Sequence, residues 1–328
     1  MLVKLRRLLL LLVSLVLIII FILWYMLMQP VMGSINKVTN IETFSPLELE
    51  NTVKTLVEDF FPRNGANPQN MKRCAEYIKA EFSKNNQRAS YQRYVIDQKT
   101  YYNIIVSFGP EDGERIIVGA HYDSAGELPG ADDNASGVAG LIALAKKLAK
   151  LKSNQLTTRI DLVAYALEEP PYFKTDQMGS AWHAFKMHEE KVAVKLMISL
   201  EMLGFYSDRD DSQQYPIPVL DLLYPTKGNY IAIIGLFNQG GITRKAKTLM
   251  QAATSMDVYS INAPRIIPGI DFSDHLNYWN EGYPAIMITD TAFFRNHAYH
   301  TEDDVPDRLN YEKMADVLSG VLNMVTQF

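Results

Sequence analysis

Residues 116–137 read IIVGAHYDSAGELPGADDNASG, and this segment sets the expected architecture of the chain. Its first five residues form an apolar run typical of a buried strand, and the amphipathic pattern from Ala135 to Leu151 predicts a helix. A second apolar run, Ile160 to Ala166, predicts a further strand. Strand, helix and strand in this order are typical of a parallel sheet with helices packed on its faces.

The rest of the chain continues this alternation of helical and extended patterns. Ser45 and Pro46 form an N-cap and first-turn pair. We expect helices Ser45–Phe61 and Pro68–Phe82, extended chain Tyr91–Phe108, a turn at Pro110–Gly113, helix Gly179–Glu190, strands Leu196–Leu200 and Tyr230–Leu236, helix Thr243–Ala253, strand Ala285–Thr289 and a helix from Tyr311. The predicted fold class is α/β, with a single, mostly parallel mixed sheet flanked by helices on both faces. In such folds the active site lies at the carboxyl ends of the strands.

The first 30 residues differ in composition from the remainder. Lys4, Arg6 and Arg7 precede an apolar run of 21 residues, Leu8 to Met28, in which only Ser14 is polar. As a helix this run would be about 31 Å long, enough to cross a hydrocarbon core of roughly 30 Å. A cleaved signal peptide is the alternative, but its apolar region is usually about 7–15 residues long and ends in small residues.

We therefore expect a cytoplasmic stub and transmembrane anchor in residues 1–30, a linker in 31–44 and one large domain in 45–328. The positive-inside rule places the N-terminus in the cytoplasm and the large domain outside it. Cys74 is the only cysteine, which excludes an intrachain disulfide and fits a bacterial periplasm or cell envelope better than an endoplasmic reticulum lumen. With 32 basic and 37 acidic residues and no basic patch interleaved with aromatics, we expect no nucleic-acid partner.

Acidic and imidazole side chains recur where the predicted strands end. In chain order they are His121 and Asp123, Asp132 and Asp133, Glu168 and Glu169, Glu201, and His300. Taken singly, each has an ordinary structural explanation, such as a helix N-cap for an Asp or a solvated loop for the Glu pair. Together they direct many nitrogen and oxygen ligands to one rim of the sheet. So much negative charge in one place would be costly without a divalent metal.

Several motifs resemble the di-zinc aminopeptidase family, zinc exopeptidases related to membrane glutamate carboxypeptidases and, as a single-zinc branch, to glutaminyl cyclases. The matching segments follow the family's order and cover roughly Asn103 to the C-terminus: GAHYDS at 119–124, PGADDNASG at 129–137, LEE at 167–169 with GS at 179–180, SLEMLG at 199–204, SDH at 273–275 and YHT at 299–301. The resemblance implies a fold of the zinc exopeptidase type. It also implies an aminopeptidase that acts on peptides with a free N-terminus.

The resemblance further implies two Zn²⁺ ions per chain. Asp133 would bridge both ions, His121 and Glu201 would complete one site, and Glu169 and His300 would complete the other. The family uses either Asp or Glu at the position of Glu201, which leaves open whether this ligand binds through one oxygen or two.

Two further carboxylates have expected roles beside these ligands. Asp123 resembles the family's carboxylate that accepts the remaining imidazole N–H of His121 and fixes the ring. Glu168 is the expected catalytic residue, a general base that takes a proton from the attacking water and gives it to the leaving amine.

Asp274 and His275 are weaker candidates, Asp274 for a contact behind the metal ligands and His275 for a contact with substrate. A helix N-cap at Ser273 or Asp274 explains part of this motif without function. For the other histidines, His183, His188 and His297, we expect packing, surface or loop positions.

The sequence leaves three classes of function open: a two-metal exopeptidase, a single-zinc glutaminyl cyclase, and a scaffolding relative that has lost its ligands. Within the first class a carboxypeptidase would need a cation for the substrate carboxylate, for which Arg265 and Arg295 are isolated candidates. We expect Ser207–Gly228 to form a lid or pocket wall. The pattern specifies neither the preferred N-terminal residue of the substrate nor the oligomeric state.

Overall fold

The computed structural model describes residues 2–85, 87–151 and 155–328. Its helices are α1 (Leu2–Met28), α2 (Pro46–Asp59), α3 (Pro68–Phe82), α4 (Gly137–Leu148), α5 (Gly179–Glu189), α6 (Gly240–Gln251), α7 (His275–Asn280) and α8 (Tyr311–Gln327). Its strands are β1 (Ser90–Ile96), β2 (Lys99–Phe108), β3 (Arg115–His121), β4 (Arg159–Tyr165), β5 (Val194–Glu201), β6 (Ile231–Gly235), β7 (Val258–Asn262) and β8 (Ala285–Thr289).

The strands form one eight-stranded sheet in the order β1-β2-β4-β3-β5-β8-β6-β7. The central strands β4, β3, β5 and β8 are mutually parallel, while β2 and β6 join this group in antiparallel pairings. The predicted α/β fold with a single mixed sheet is confirmed. Because its parallel centre directs four carboxyl ends to one edge, residues that follow these strands lie close together.

Helices cover both faces of the sheet, as the sequence predicts. Successive residues of a strand point to opposite faces, so Ile116 and Val118 pack in the larger core cluster with α4 while Ile117 packs in the smaller one with α5 and α7. All three side chains are fully buried. A strand buried on both faces explains why this run is continuously apolar.

The sequence analysis differs from the structure at a hairpin and at an edge strand. The extended run from Tyr91 to Phe108 is two strands, β1 and β2, because Asp97 and Gln98 have φ values of 47° and 63° and form a two-residue turn. Strand β7 was not predicted. It is a short edge strand in which only alternate residues are buried, so it lacks the apolar run of a central strand.

The predicted helix Ala135–Leu151 begins later than expected. Residues Ala131–Ser136 form an irregular turn in which Asp133 has φ −101° and ψ 90°, and regular helix starts at Gly137. The side chain of Asn134 accepts hydrogen bonds from the N–H groups of Gly137 and Met202, both at 3.1 Å. These bonds hold the turn against the end of β5.

Helix α1 contains the predicted apolar run. The segment Lys4–Met28 is long and apolar enough to cross a membrane, a test that a signal sequence also passes. Met1, the start of the predicted stub, lies outside the described residues. The predicted linker 31–44 has no regular helix or strand, but it contacts the domain, because Val38 N–H donates to the carbonyl of Ala252 at 2.9 Å.

Gly119 gives a test of how tightly the centre of the sheet is packed. A Cβ atom at this position would lie 2.1 Å from the ring of Tyr165, which is fully buried and hydrogen-bonded to the Tyr278 hydroxyl at 2.7 Å. We expect Gly119→Ala to lower the free energy of unfolding by about 1–3 kcal/mol, the usual cost of overpacking a core. Urea denaturation of the purified chain measures this change.

The matched control for this prediction is Gly241→Ala. Gly241 lies in α6, and a Cβ atom added there would meet no other atom within 4 Å, so the substitution should be neutral or stabilising by about 0.5–1 kcal/mol. Equal urea midpoints for the two variants would show that Tyr165 moves aside at no cost.

Candidate metal centre

The candidate site lies at the carboxyl edge of the parallel strands. His121 is the last residue of β3 and Glu201 the last residue of β5, while Glu168 and Glu169 follow β4. Asp133 lies in the irregular turn before α4. His300 lies in the loop between β8 and α8. The structure therefore brings the predicted ligands and Glu168 into one pocket.

Two groups of ligand atoms converge within this pocket. The Nε2 atom of His121 lies 3.3 Å from Asp133 Oδ1 and 3.4 Å from Glu201 Oε2. The Nε2 atom of His300 lies 3.1 Å from Asp133 Oδ2 and 3.2 Å from Glu169 Oε2. The two oxygens of Asp133 therefore face two different imidazoles, and each imidazole has a second carboxylate beside it.

These atoms have the spacing and chemistry that zinc requires. Tetrahedral zinc holds nitrogen and oxygen ligands at about 2.0–2.1 Å, which places neighbouring ligand atoms about 3.3–3.4 Å apart. Neither Nε2 atom, nor Oε1 of Glu169, has a hydrogen-bond partner among the described residues, although all three are buried. Ligand atoms of His121, Asp133 and Glu169 also lie within 4.8 Å of one another. The residues therefore fit a metal centre.

The tautomer of His121 supports this interpretation. Its Nδ1 atom lies 3.2 Å from the backbone carbonyl of Asp123. A carbonyl oxygen can only accept a hydrogen bond, so Nδ1 carries the proton in the neutral ring and Nε2 presents its lone pair to the pocket. The carboxylate of Asp123 lies 3.5 Å from the same Nδ1.

Asp123 also positions the two glutamates. Its Oδ1 accepts a hydrogen bond from Glu168 N–H at 3.1 Å, and its Oδ2 accepts one from Glu169 N–H at 3.0 Å. One buried carboxylate thus connects the end of β3 with the turn after β4. This contact to the glutamates was not predicted from the sequence, which gives no pairing between these two segments.

Opposing effects set the pKa values of the carboxyl groups in the pocket. Burial and mutual repulsion raise these pKa values, whereas the adjacent imidazoles lower them. Burial would raise the pKa of Asp133, but the adjacent imidazoles of His121 and His300 outweigh it and hold that pKa below its ordinary value. Burial, together with the charge of Asp133, raises the pKa of Glu169 to about 8. Burial raises the pKa of Glu168 well above its ordinary value. At neutral pH the metal-free carboxyl group of Glu169 therefore retains a proton that a metal ion must displace.

Three residues that the sequence analysis did not assign to the site orient its ligands. The hydroxyl of Ser273 donates to Glu201 Oε2 at 2.6 Å and contacts the Ser199 hydroxyl at 2.8 Å. The side chain of Asn134 also donates to Glu201 Oε2, at 3.4 Å. Asp304 accepts a hydrogen bond from Asp133 N–H at 3.1 Å. Asp304 lies four residues after the predicted ligand His300. This closeness in sequence is the one signal that could have identified Asp304.

The SDH motif has a different role from the one that its sequence suggests. Neither Ser273 nor Asp274 caps α7 with its side chain. Asp274 is fully buried without a hydrogen-bond partner for its carboxylate among the described residues, and burial raises its pKa to about 7. His275 is also fully buried, and its Nε2 donates to the Ile270 carbonyl at 2.8 Å. The Nδ1 atom of His275 has no hydrogen-bond partner among the described residues, and the expected contact with substrate stays a prediction.

The remaining histidines lie outside the pocket. His183 is buried against the Tyr278 hydroxyl, while His188 and His297 are exposed. Arg295 is buried and donates to Gln213 Oε1 and the Tyr230 carbonyl, both at 2.9 Å. Its Nη2 atom is buried and has no hydrogen-bond partner among the described residues.

An apolar cleft lies beside Glu201. The segment predicted as a pocket wall, Ser207–Gly228, contributes to it through Leu220 and Tyr224. The aromatic residues that line the cleft are Tyr215, Tyr224, Tyr230, Tyr259, Phe272, Phe293, Phe294 and Tyr299. The cleft therefore suits an apolar group held next to the candidate metal centre.

Comparison with known proteins relates the chain to peptidases. Protein YfbL of Escherichia coli K12, described as uncharacterized, is 48% identical over 289 residues, which cover 86% of this chain and 88% of YfbL. A probable leucine aminopeptidase of Arthroderma otae is 23% identical over 240 residues, or 70% of this chain. The chain spans 51–64% of the length of the curated leucine aminopeptidases that it matches.

Solved structures share the fold. A zinc aminopeptidase from Bacillus subtilis matches with a TM-score of 0.68 at 14% identity, covering 88% of this chain and 95% of its own. Glutaminyl cyclases of known structure also have this fold. The model of peptidase family M28 matches residues 103–325, which include every residue of the candidate centre. The Bacillus subtilis enzyme with this fold is a zinc aminopeptidase. The chain belongs to peptidase family M28.

Proposed function

We propose that the protein is an aminopeptidase with two zinc ions in one site. The observation that carries the proposal is that the two oxygens of Asp133 face His121 and His300 separately. With Glu201 on one side and Glu169 on the other, this arrangement provides two sets of ligands joined by one carboxylate. Sulfur is absent from both sets, which keeps zinc a strong Lewis acid.

Bound zinc would polarise the scissile carbonyl and lower the pKa of a nearby water. In this mechanism Glu168 accepts the proton of the attacking water and later gives it to the leaving amine. Its carboxylate approaches His121 Nε2 only to 3.9 Å, farther than the carboxylates of Asp133 and Glu201.

The pocket favours a free amino terminus over a free carboxyl terminus. A carboxypeptidase would need a cation near the scissile bond, yet none of the described residues that line the cleft beside Glu201 is a Lys or an Arg. The apolar cleft beside Glu201 would receive the side chain of the N-terminal residue.

A single-zinc glutaminyl cyclase is the second candidate. A Bacteroides thetaiotaomicron glutaminyl cyclase matches this fold with a TM-score of 0.67 at 19% identity. A single zinc ion would use only one of the two sets of imidazole and carboxylate ligands. The number of bound zinc ions therefore separates the two candidates.

We also propose that α1 remains as a single-pass anchor. Lys4, Arg6 and Arg7 at its start would stay in the cytoplasm, and the peptidase domain would lie outside it, in a bacterial periplasm or cell envelope. The apolar length of Lys4–Met28 supports this proposal.

The first prediction concerns the metals. We expect two zinc ions per chain, loss of activity with a chelator, and a lower unfolding temperature of the metal-free form, because the bound ions stabilise the native state alone. Asp133→Ala should lose zinc from both sides of the site. Asp303→Ala, which removes an exposed carboxylate from the loop of His300, is the matched control and should keep both ions. Two zinc ions and near-normal turnover in Asp133→Ala would contradict the bridging role.

The second prediction separates Glu168 from Glu169. Glu168→Gln should keep both ions but lower turnover by about 10²–10⁴-fold, the usual contribution of a general base. Glu169→Gln should weaken one ion, because a neutral amide is a poorer ligand for zinc. Zinc content and turnover on a chromogenic aminoacyl substrate measure both effects. If Glu168→Gln loses an ion and Glu169→Gln keeps two, the two roles are exchanged.

The third prediction concerns the substrate. We expect kcat/KM to be higher for leucyl and phenylalanyl p-nitroanilides than for the alanyl compound, since each buried methylene is worth about 10–200-fold. N-acetylation should abolish cleavage, because it removes the ammonium group. Release of ammonia from a glutaminyl peptide without cleavage of leucyl substrates would instead identify a cyclase.

A further inference from the structure

The C-terminal end of α1 is bound to the peptidase domain. The Met28 carbonyl accepts hydrogen bonds from Ser260 Oγ of β7 at 2.8 Å and from Lys247 Nζ of α6 at 3.3 Å. Gln29 is only 3% exposed, and its Oε1 accepts a hydrogen bond from Arg244 Nη2 at 2.7 Å. We call Arg244, Lys247 and Ser260 the socket.

The socket depends on the last turn of α1. The ammonium group of Lys247 is largely buried, and burial lowers its pKa to about 8. A buried ammonium needs hydrogen-bond acceptors, and this one donates to the Met28 carbonyl and to Ser260 Oγ. The Arg244 guanidinium lies 4.8 Å from the centre of the Tyr25 ring. The last turn of α1 is therefore part of the domain surface rather than a flexible tether.

The socket also fixes the height of the domain above a membrane. The large apolar residues from Leu5 to Leu23 are 47–68% exposed, so this part of α1 is free to contact lipid. Trp24 marks its boundary, and Met28 lies about 6 Å further along the helix axis. The polar layer on each side of a bilayer is about 5–7 Å thick. Ser260, bonded to Met28, would therefore lie at the level of the lipid headgroups.

An exposed apolar segment lies beside the socket. Ser260, whose hydroxyl binds Met28, accepts a hydrogen bond on its carbonyl from the Tyr224 hydroxyl at 2.7 Å. Just before Tyr224, residues 216–223 read PIPVLDLL, with one charged residue. Val219 is 53% exposed and Leu222 is 84% exposed. We call residues 217–222 the apolar tip. Neighbouring apolar residues that face outward on one loop are typical of a contact surface.

We propose that the apolar tip inserts into the membrane interface beside α1 and holds the domain in one orientation. Continuity with the docked end of α1 favours lipid as the partner, because a single residue, Ser260, contacts both the end of α1 and the base of the tip. Leu220 of the same tip is buried and lines the apolar cleft, so insertion of the tip would place one wall of the cleft close to the membrane. The proposal rests on the proposed anchoring by α1 and is independent of the metal chemistry.

Site-specific labelling of the full-length chain tests this proposal. Val219→Cys and Leu222→Cys are labelled with an environment-sensitive fluorophore and reconstituted in phosphatidylcholine vesicles that contain nitroxide-labelled lipid. Val95→Cys is the matched control, because Val95 is 47% exposed on β1, at the opposite edge of the sheet from β7. The native Cys74 is fully buried and burial raises the pKa of its thiol to about 12, so it contributes little background.

We expect blue-shifted emission and strong quenching at Val219→Cys and Leu222→Cys, with neither effect at Val95→Cys. Equal emission and quenching at all three positions would overturn the proposal. The far-ultraviolet circular dichroism of each variant establishes that it is folded, and either tip variant alone suffices. If the chain does not float with vesicles, both the anchoring and the tip proposal are wrong, whereas the aminopeptidase assay is unaffected.

Discussion

The structure depends on a cluster of acidic side chains that is buried from solvent. Asp133, Glu168, Glu169 and Glu201 are all buried in one pocket, and the side chains that face them with a possible positive charge are imidazoles. Carboxylates at such distances repel one another strongly, and burial adds a desolvation cost. A divalent cation offsets both effects at once. The buried carboxylates therefore fit the bound metal that the proposed function requires.

Hydrogen bonds from surrounding residues keep the side chains of this pocket in place. Asp123 binds the backbone of the glutamate pair, Ser273 and Asn134 bind Glu201, and Asp304 binds the backbone of Asp133. These partners come from different loops, which the parallel centre of the sheet brings to one edge. Loss of one partner would let a ligand turn away while the sheet stays intact.

Local patterns predicted the core of the fold well, because a strand buried on both faces must be apolar throughout. Ala285–Thr289 was predicted with its observed bounds, and the five expected ligands lie together in the structure. The burial pattern of β7 alternates, and His275 is fully buried. Neither feature could be predicted from a local pattern, because both depend on packing between segments that are distant in sequence. The contact of Ser273 with Glu201 also joins residues 72 apart in sequence. The assignment of the ligands to two zinc ions stays a prediction.

The order of the ligands along the chain affects how the enzyme is made. The candidate centre takes its first ligand from His121 and its last from His300, which follows β8, the last strand of the sheet. A nascent chain leaves the ribosome from its N-terminus, so the whole sheet is synthesised before the centre can be complete. Incomplete chains would lack the final imidazole and remain inactive. A peptidase with the proposed centre would thus be latent during its own synthesis.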